Sequence, residues 1–425
     1  KSVTDKLILL REELRKAHAN VFVMSALDDI AWLFNIRGND VAFNPVVIAY
    51  ALVDEEKAML FVDPAKCTDA SFSYLNDNGV IIANYQDIYT QLREIPTKKA
   101  VMYDGNKLNQ SLFEAIPAEC EKRVGMSPVF KLKSLKNDVE IAGVRKAMIK
   151  DGVALTKFFI WLEENVKHGH LTEVSIAEKL FGFRTEQKNF IGESFNTIAG
   201  YAGHGAIVHY SASPETASTL MPEGILLLDS GGQYLEGTTD ITRTITLGKP
   251  TAKQKKDYTL VLKGHIDLAM AKFPVNTRGS QLDILARKAM WDLGLNYGHG
   301  TGHGVGHFLN VHEGPQSIRM DENPATLQVG MITSNEPGMY RTDEYGIRTE
   351  NLVLTVPAEK TEFGQFLRFE TLTLCFIDTR LIDKSLLNKQ EEKWLNDYHK
   401  NVLKKLSPYL SKSEKKWLEK KCKEI

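Results

Sequence analysis

Two aspartates, Asp229 and Asp240, stand eleven positions apart in the stretch LLLDSGGQYLEGTTDITRTI. The apolar run 225–228 leads into the first as a strand. Asp-Ser-Gly-Gly then breaks it, and the β-branched run 238–246 carries the second. A hairpin would set the two strands side by side, with Asp240 on the same face as Thr238 and Thr242. Two carboxylates facing one pocket repel each other unless a proton or a cation intervenes. Aspartates in Asp-Ser-Gly contexts also cap turns, so the choice rests on the sequence downstream.

Residues 297–315 read YGHGTGHGVGHFLNVHEGP, with glycine at every second position from Gly298 to Gly306. Five glycines would each cost a helix about 1 kcal/mol relative to alanine, which excludes helix here. An extended chain would place His299, Thr301, His303, Val305 and His307 on one face and leave the glycine face free to approach backbone or ligand closely. His299 and His303 would then lie about 13 Å apart, too far to share one metal. One metal ligand is expected in this stretch, with other histidines serving a substrate; His307 by itself reads as well as a core residue. Further on, MITSNEP places Glu336 before a proline, and GIRTENLV places Arg348 and Glu350 two apart on a strand, pointing the same way. Arg348 would orient a site carboxylate or reach a substrate oxygen.

Asp229, Asp240, His303, Glu336 and Glu350 together make four carboxylates and one imidazole. Their −4 charge balances two divalent cations. Such an oxygen-rich donor set suits Mn²⁺ and tolerates Co²⁺ or Zn²⁺. Two ions about 3.5–4 Å apart would share a hydroxide and polarise a carbonyl, the requirements of metal-assisted hydrolysis.

The chain of 425 residues is long enough for two or three domains, and it holds 43% hydrophobic and 25% charged residues. Lys+Arg (53) and Asp+Glu (54) nearly cancel, which argues against nucleic acid or an anionic membrane as partner. No apolar run reaches the length of a membrane span. Four distant cysteines form no zinc or disulfide pattern and suit a reducing, cytoplasmic compartment. A start at Lys1 reads as a fragment, a processed form or part of a longer protein. Residues 1–20 read as an amphipathic helix. Short strands then alternate with helices, which implies a small non-catalytic α/β domain with a mixed sheet over 1–128. Asp28, Asp29 and Trp32 in it suit capping and packing. Asn137 and Glu140 have capping-box spacing ahead of a long helix, and Thr172 reads as the N-cap of another. Strands over 192–374, interrupted by helices over 252–272 and 280–293, make 129–425 an α+β catalytic domain. Its lysine-rich tail, 385–425, reads as a helix with a solvated basic face.

The five residues, in this order and within LLLDSGGQYLEGTTDITRT, GHGTGHGVGHFLNVHEGP and GIRTENLVL, resemble the metallopeptidase family with the pita-bread fold. That family includes methionine aminopeptidase, prolidase and Xaa-Pro aminopeptidase. The phrases, with KWLNDYH in the tail, look like the aminopeptidase P subgroup over almost the whole chain. The resemblance implies a curved antiparallel sheet with helices, preceded by a creatinase N-terminal-like domain. It also implies a homodimer that removes the N-terminal residue from peptides with proline second, by a hydroxide bridging two metal ions. Asp229 would chelate one ion, Asp240 and Glu350 would bridge both, and His303 and Glu336 would complete the other. Glu336 would accept the proton of the attacking water. His209, in IVHYS, and His312 would hold the scissile amide and shuttle protons. His299 would line the pocket for the first residue, and Arg348 would support the site and the bound substrate. The chain is expected to lack the first N-terminal domain of three-domain members. Prolidase is the nearest alternative, and a non-enzymatic protein-binding relative a more distant one; the intact ligand set argues against the latter.

Overall fold

A computed structural model describes residues 1–425, which divide into two compact units, Lys1–Lys133 and Ser134–Ile425. In the first unit the opening helix, Val3–Lys16, starts at a capping box in which Ser2 and Asp5 exchange hydrogen bonds. It buries Val3, Leu7, Leu10 and Leu14 along one face. A six-stranded sheet follows, in the order Val80–Ala83, Ala58–Phe61, Tyr50–Asp54, Val21–Met24, Ala100–Tyr103, Glu121–Val124. The pairs made by Tyr50–Asp54 are antiparallel and the other three parallel, so the sheet is mixed. Asp28 and Asp29 serve structure: Lys133 Nζ lies 2.7 Å from Asp28, and the Ser127 hydroxyl donates to Asp29 at 2.5 Å. Trp32 lies 4.0 Å beneath the Lys6 ammonium.

The second unit opens with the 28-residue helix Asp138–Asn165, capped by Asn137, whose amide oxygen takes the N–H groups of Val139 and Glu140 while Glu140 returns a bond to the Asn137 N–H. Thr172 caps the next helix, Glu173–Thr185. Strand Ile225–Ser230 lies between Ile198–Tyr201 and Ile241–Thr246, antiparallel to both, with Asp229 opposite Thr242. A second antiparallel group runs Lys272–Pro274, Gly364–Thr371, Asn351–Thr361, Ile332–Asn335. Helices Ala252–Ala269 and Gly279–Trp291 separate the two groups in sequence. Leu226, Leu228, Ile241 and Ile245 are buried in one core with Phe158, Leu262 and Leu352. Each such side chain contributes roughly 1.5–3 kcal/mol.

The tail folds onto this unit. Helix Lys389–Leu406 buries Leu395, Tyr398, Val402 and Leu406 and leaves its lysines largely outward. Its Tyr398 hydroxyl receives a 2.8 Å hydrogen bond from Arg243, a buried guanidinium that also donates to the carbonyls of Thr242, Glu350, Cys375 and Phe376 and to Asn351. Arg243 thereby ties three distant stretches together beneath the aspartate hairpin.

Two local expectations differ from what is found. The run 238–246 is not one strand: Gly237–Thr238 pairs with Gly232–Tyr234, and Thr239 and Asp240 fall between it and Ile241–Thr246. The Thr238 hydroxyl accordingly bonds Gln233 and the Leu309 carbonyl, away from Asp240's cavity. The glycine–histidine stretch is not extended throughout either; only Gly302–His303 is a strand, paired with Ser317–Ile318. Close packing explains the glycines at its centre. A Cβ at Gly302 would lie 2.0 Å from the Ser334 carbonyl oxygen, and one at Gly304 would lie 1.9 Å from that of Glu313. The backbone wraps against neighbours that only glycine admits.

Candidate active site

The pleat of strand Ile225–Ser230 turns Asp229 into a cavity of about 470 Å³, and the connection after Gly237–Thr238 delivers Asp240 to it. His303 enters from the short strand Gly302–His303. Glu336 follows strand Ile332–Asn335, and Glu350 lies between strands Tyr345–Arg348 and Asn351–Thr361. All five line the same cavity, together with His209, His299, His312 and Arg348. Every residue singled out as chemistry-bearing is therefore brought to one place. His307 is not among the lining residues; it lies against Gly143 of helix Asp138–Asn165.

Donor atoms of Asp240, His303 and Glu350 lie within 4.8 Å of one another. His303 Nδ1 faces the Gly304 carbonyl at 2.9 Å, which directs Nε2 into the cavity, 3.4 Å from Asp240 and 3.3 Å from Glu336. Ser334 donates to Glu336 at 3.0 Å and Thr242 to Glu350 at 2.8 Å. Arg348 grips Asp229 at 2.6 Å. Two buried carboxylate oxygens, Asp229 Oδ1 and Glu350 Oε1, have no hydrogen-bond donor. Orphaned anionic oxygens are costly in a protein interior unless a cation meets them.

The electrostatics agree. Burial raises the Asp229 carboxyl above its usual range despite Arg348, with Asp240 adding to the rise. Burial, then Asp240, raises Glu350 well above the ordinary glutamate value. Burial pushes Glu336 up to about 7. Burial opposes the charged form of His303, yet the bond to Asp240 and the charge of Glu336 prevail and lift it to about 9. A cluster that retains protons on acids and on an imidazole carries excess negative charge. Divalent cations would meet the same need. The donor set, four carboxylates and one imidazole with two oxygens left open, thus fits the two ions expected from the sequence.

The histidines differ in character. Both ring nitrogens of His299 are engaged, Nδ1 with the Gly300 carbonyl at 2.8 Å and Nε2 with the Tyr340 hydroxyl at 2.7 Å. Burial lowers its pKa to about 4, so the ring is neutral. His312 stands edge-to-face against His303, with centroids 4.2 Å apart. His209 is exposed at the rim. Arg348 bonds Asp229, Thr242 and Tyr340 at once, so its fork is directed at the protein. Sequence reasoning missed Tyr340 and Ser334. Tyr340 lies in no motif-like run, whereas Ser334 stands inside MITSNEP, two residues before Glu336, and was passed over for the carboxylate beside it. Thr242 was visible only as a strand neighbour of Asp240.

Comparisons with known proteins agree with this geometry. Residues 142–357 match the model of metallopeptidase family M24, residues 1–140 the Creatinase/Prolidase N-terminal domain, and residues 365–425 the C-terminal region of peptidase M24. The α+β catalytic unit preceded by a creatinase-like α/β domain is thus borne out, but the expectation that the chain lacks the first N-terminal domain of three-domain members is not: residues 1–140 match a Creatinase/Prolidase N-terminal domain. Xaa-Pro aminopeptidase 1 of Dictyostelium discoideum is 41% identical over 100% of this chain and 69% of its own length. A probable Xaa-Pro aminopeptidase P of Sordaria macrospora is 45% identical over 96% of this chain and 69% of its own. The crystal structure of X-prolyl aminopeptidase from Caenorhabditis elegans, described as a cytosolic enzyme with a di-nuclear active site, superposes with a TM-score of 0.96. It is 37% identical and covers 100% of this chain, which covers 71% of it. Prolidase from Pyrococcus furiosus, 23% identical with a TM-score of 0.66 over 86% of this chain and 99% of its own, shares the fold.

Proposed function

We propose that this chain, which belongs to metallopeptidase family M24, is a Xaa-Pro aminopeptidase that hydrolyses the bond between an N-terminal residue and a penultimate proline. The observation that carries the reading is the meeting of five sequence-distant donors around one cavity, two of them with buried oxygens that lack any donor. The proline specificity is taken from the likeness, over the whole of this chain, to Xaa-Pro aminopeptidases. Unit 134–425 does the chemistry, and unit 1–133 is not catalytic.

Asp229, Asp240, His303, Glu336 and Glu350 would hold two divalent ions, which supply Lewis acidity toward the scissile carbonyl and lower the pKa of water to make it a nucleophile near neutral pH. The chain's own groups do the rest. Glu336, already raised by burial, accepts the proton of the attacking water. His209 at the rim and His312 beside His303 hold the scissile amide, and pass a proton to the proline nitrogen as it leaves. His299, fixed and neutral, lines the pocket for the first residue. Arg348 holds Asp229 at the angle that ligation needs and frames the substrate's approach.

The donor chemistry favours Mn²⁺, with Co²⁺ and Zn²⁺ tolerated. A cytoplasmic setting is supported by the cytosolic relative of C. elegans, and a homodimer by the resemblance. The substrates are peptides with proline in second place.

The test compares three substrates with the metal-loaded protein: a Xaa-Pro dipeptide, a Xaa-Pro-Xaa tripeptide and a Met-Ala-Xaa tripeptide. Cleavage of the second is expected, with loss of it in Asp240→Ala and His303→Ala while the fold persists. Cleavage of the dipeptide alone, of the Met-Ala peptide alone, or full activity in either variant contradicts the reading.

A further inference from the structure

Glu173 opens helix Glu173–Thr185 and is fully buried, and nothing in the chemistry above uses it. Its carboxylate is an acceptor for four groups. Oε1 takes the Tyr201 N–H at 2.8 Å, and Oε2 takes the Ser218 N–H at 2.7 Å and the Tyr210 hydroxyl at 2.9 Å. His204 Nδ1 straddles both oxygens at 3.0 and 2.9 Å. These partners are the beginning, the middle and the end of one segment. Between Tyr201 and Ser218 the chain has a short helical turn, Ala202–Ala206, and no strand. Yet this segment presents Val208, His209, Tyr210 and Ser211 to the catalytic cavity. A connection with so little regular structure does not fix a side chain by itself. The Tyr210 ring, next to His209 in sequence, also stacks on His204 with centroids 4.4 Å apart.

We infer that Glu173 is the positioning residue for His209: one buried carboxylate gathers both ends and the middle of the loop and so sets where its histidine meets the substrate. The inference rests on the reading of His209 as a substrate-handling group. Charge and symmetry matter to it. A glutamine would replace one acceptor oxygen by an N–H₂ group facing donors, either Tyr201 and His204 or Ser218 and Tyr210, so half the clasp would open.

The experiment is a double-mutant cycle on the metal-loaded protein, reading kcat/KM on a Xaa-Pro-Xaa peptide, metal content and thermal unfolding. Glu173→Gln is expected to lower kcat/KM about 10- to 100-fold with metal content unchanged. In a His209→Ala background the same change should cost less than about 2-fold more, because the group it positions is gone. Should Glu173→Gln fail to fold, Tyr210→Phe keeps the ring stack, removes one bond to Glu173, and should show the same non-additivity with a smaller loss. Equal fold-losses in both backgrounds overturn the inference, as does full activity in Glu173→Gln or in His209→Ala. An unmodified protein that cleaves no Xaa-Pro peptide instead removes the activity reading, and this inference with it.

Discussion

Arg348→Lys is the substitution that most sharply separates positioning from substrate contact. The guanidinium is 2% exposed and makes three short bonds, to Asp229 at 2.6 Å, the Tyr340 hydroxyl at 2.7 Å and Thr242 at 3.1 Å. Each partner leads to a different site residue: Asp229 directly, Tyr340 to His299, and Thr242 to Glu350. A lysine keeps the charge and can keep Asp229, but its single ammonium cannot span the fork. Two charge-assisted bonds to hydroxyls are then lost, nominally about 1.5–3 kcal/mol each. Partial repacking leaves an expected destabilisation of about 3 kcal/mol. Misplacing groups that orient ligands costs about 10- to 100-fold in metal affinity or activity. Steady-state kinetics on a Xaa-Pro-Xaa tripeptide, metal titration and urea unfolding should therefore all change, with kcat falling at saturating metal. A rise in KM alone, with kcat, metal affinity and stability intact, would place Arg348 against the substrate and refute the positioning argument.

Two other outcomes follow from packing and burial. Gly302→Ala places a Cβ 2.0 Å from the Ser334 carbonyl oxygen, displacing the strand whose Ser334 bonds both the His303 N–H and Glu336; a stability loss of about 3 kcal/mol and at least about 10-fold lower activity are expected by denaturation and kinetics. His265 and His399 are buried and neutral, with burial lowering them to about 3 and about 4. Their contribution is full above the unfolded histidine value near 6.5 and is lost as pH falls toward 4, because the unfolded chain gains those protons first. Between pH 6.5 and 5 the two should cost about 3 kcal/mol together, read as a drop in urea midpoint. His399→Gln, which can still accept from the Ile377 N–H, should remove about half of that acid sensitivity.

The parts of the fold visible in the sequence are those with local causes. Asn137 and Thr172 announce helices because capping lies within three residues of itself. The strands of the first unit are punctuated by turns. Helix Leu27–Leu33 was not visible, being short and opened by Ala26 without a side-chain cap, and edge strand Glu121–Val124 is a charged, partly exposed run without alternation. The metal-type donors were legible because acids and histidine are rare in such glycine- and β-rich surroundings. Arg243, Tyr340 and Glu173 were not, since Arg243 and Glu173 act through partners far away in sequence and Tyr340 joins the nearby Arg348 to the distant His299. The glycine stretch was read as extended throughout because spacing reports alternation, while the backbone neighbours that limit the strand to Gly302–His303 and press on Gly302 and Gly304 belong to the folded interior.

The central claim is that five side chains hold a pair of cations, and metal content tests it most directly. Chelated protein reloaded with Mn²⁺, then freed of excess metal and assayed by mass spectrometry of the metal, should carry two ions per chain, and Glu350→Ala and Asp240→Ala should each carry fewer. No more than one ion in the unmodified chain under saturating metal, or two retained in either variant, would contradict it.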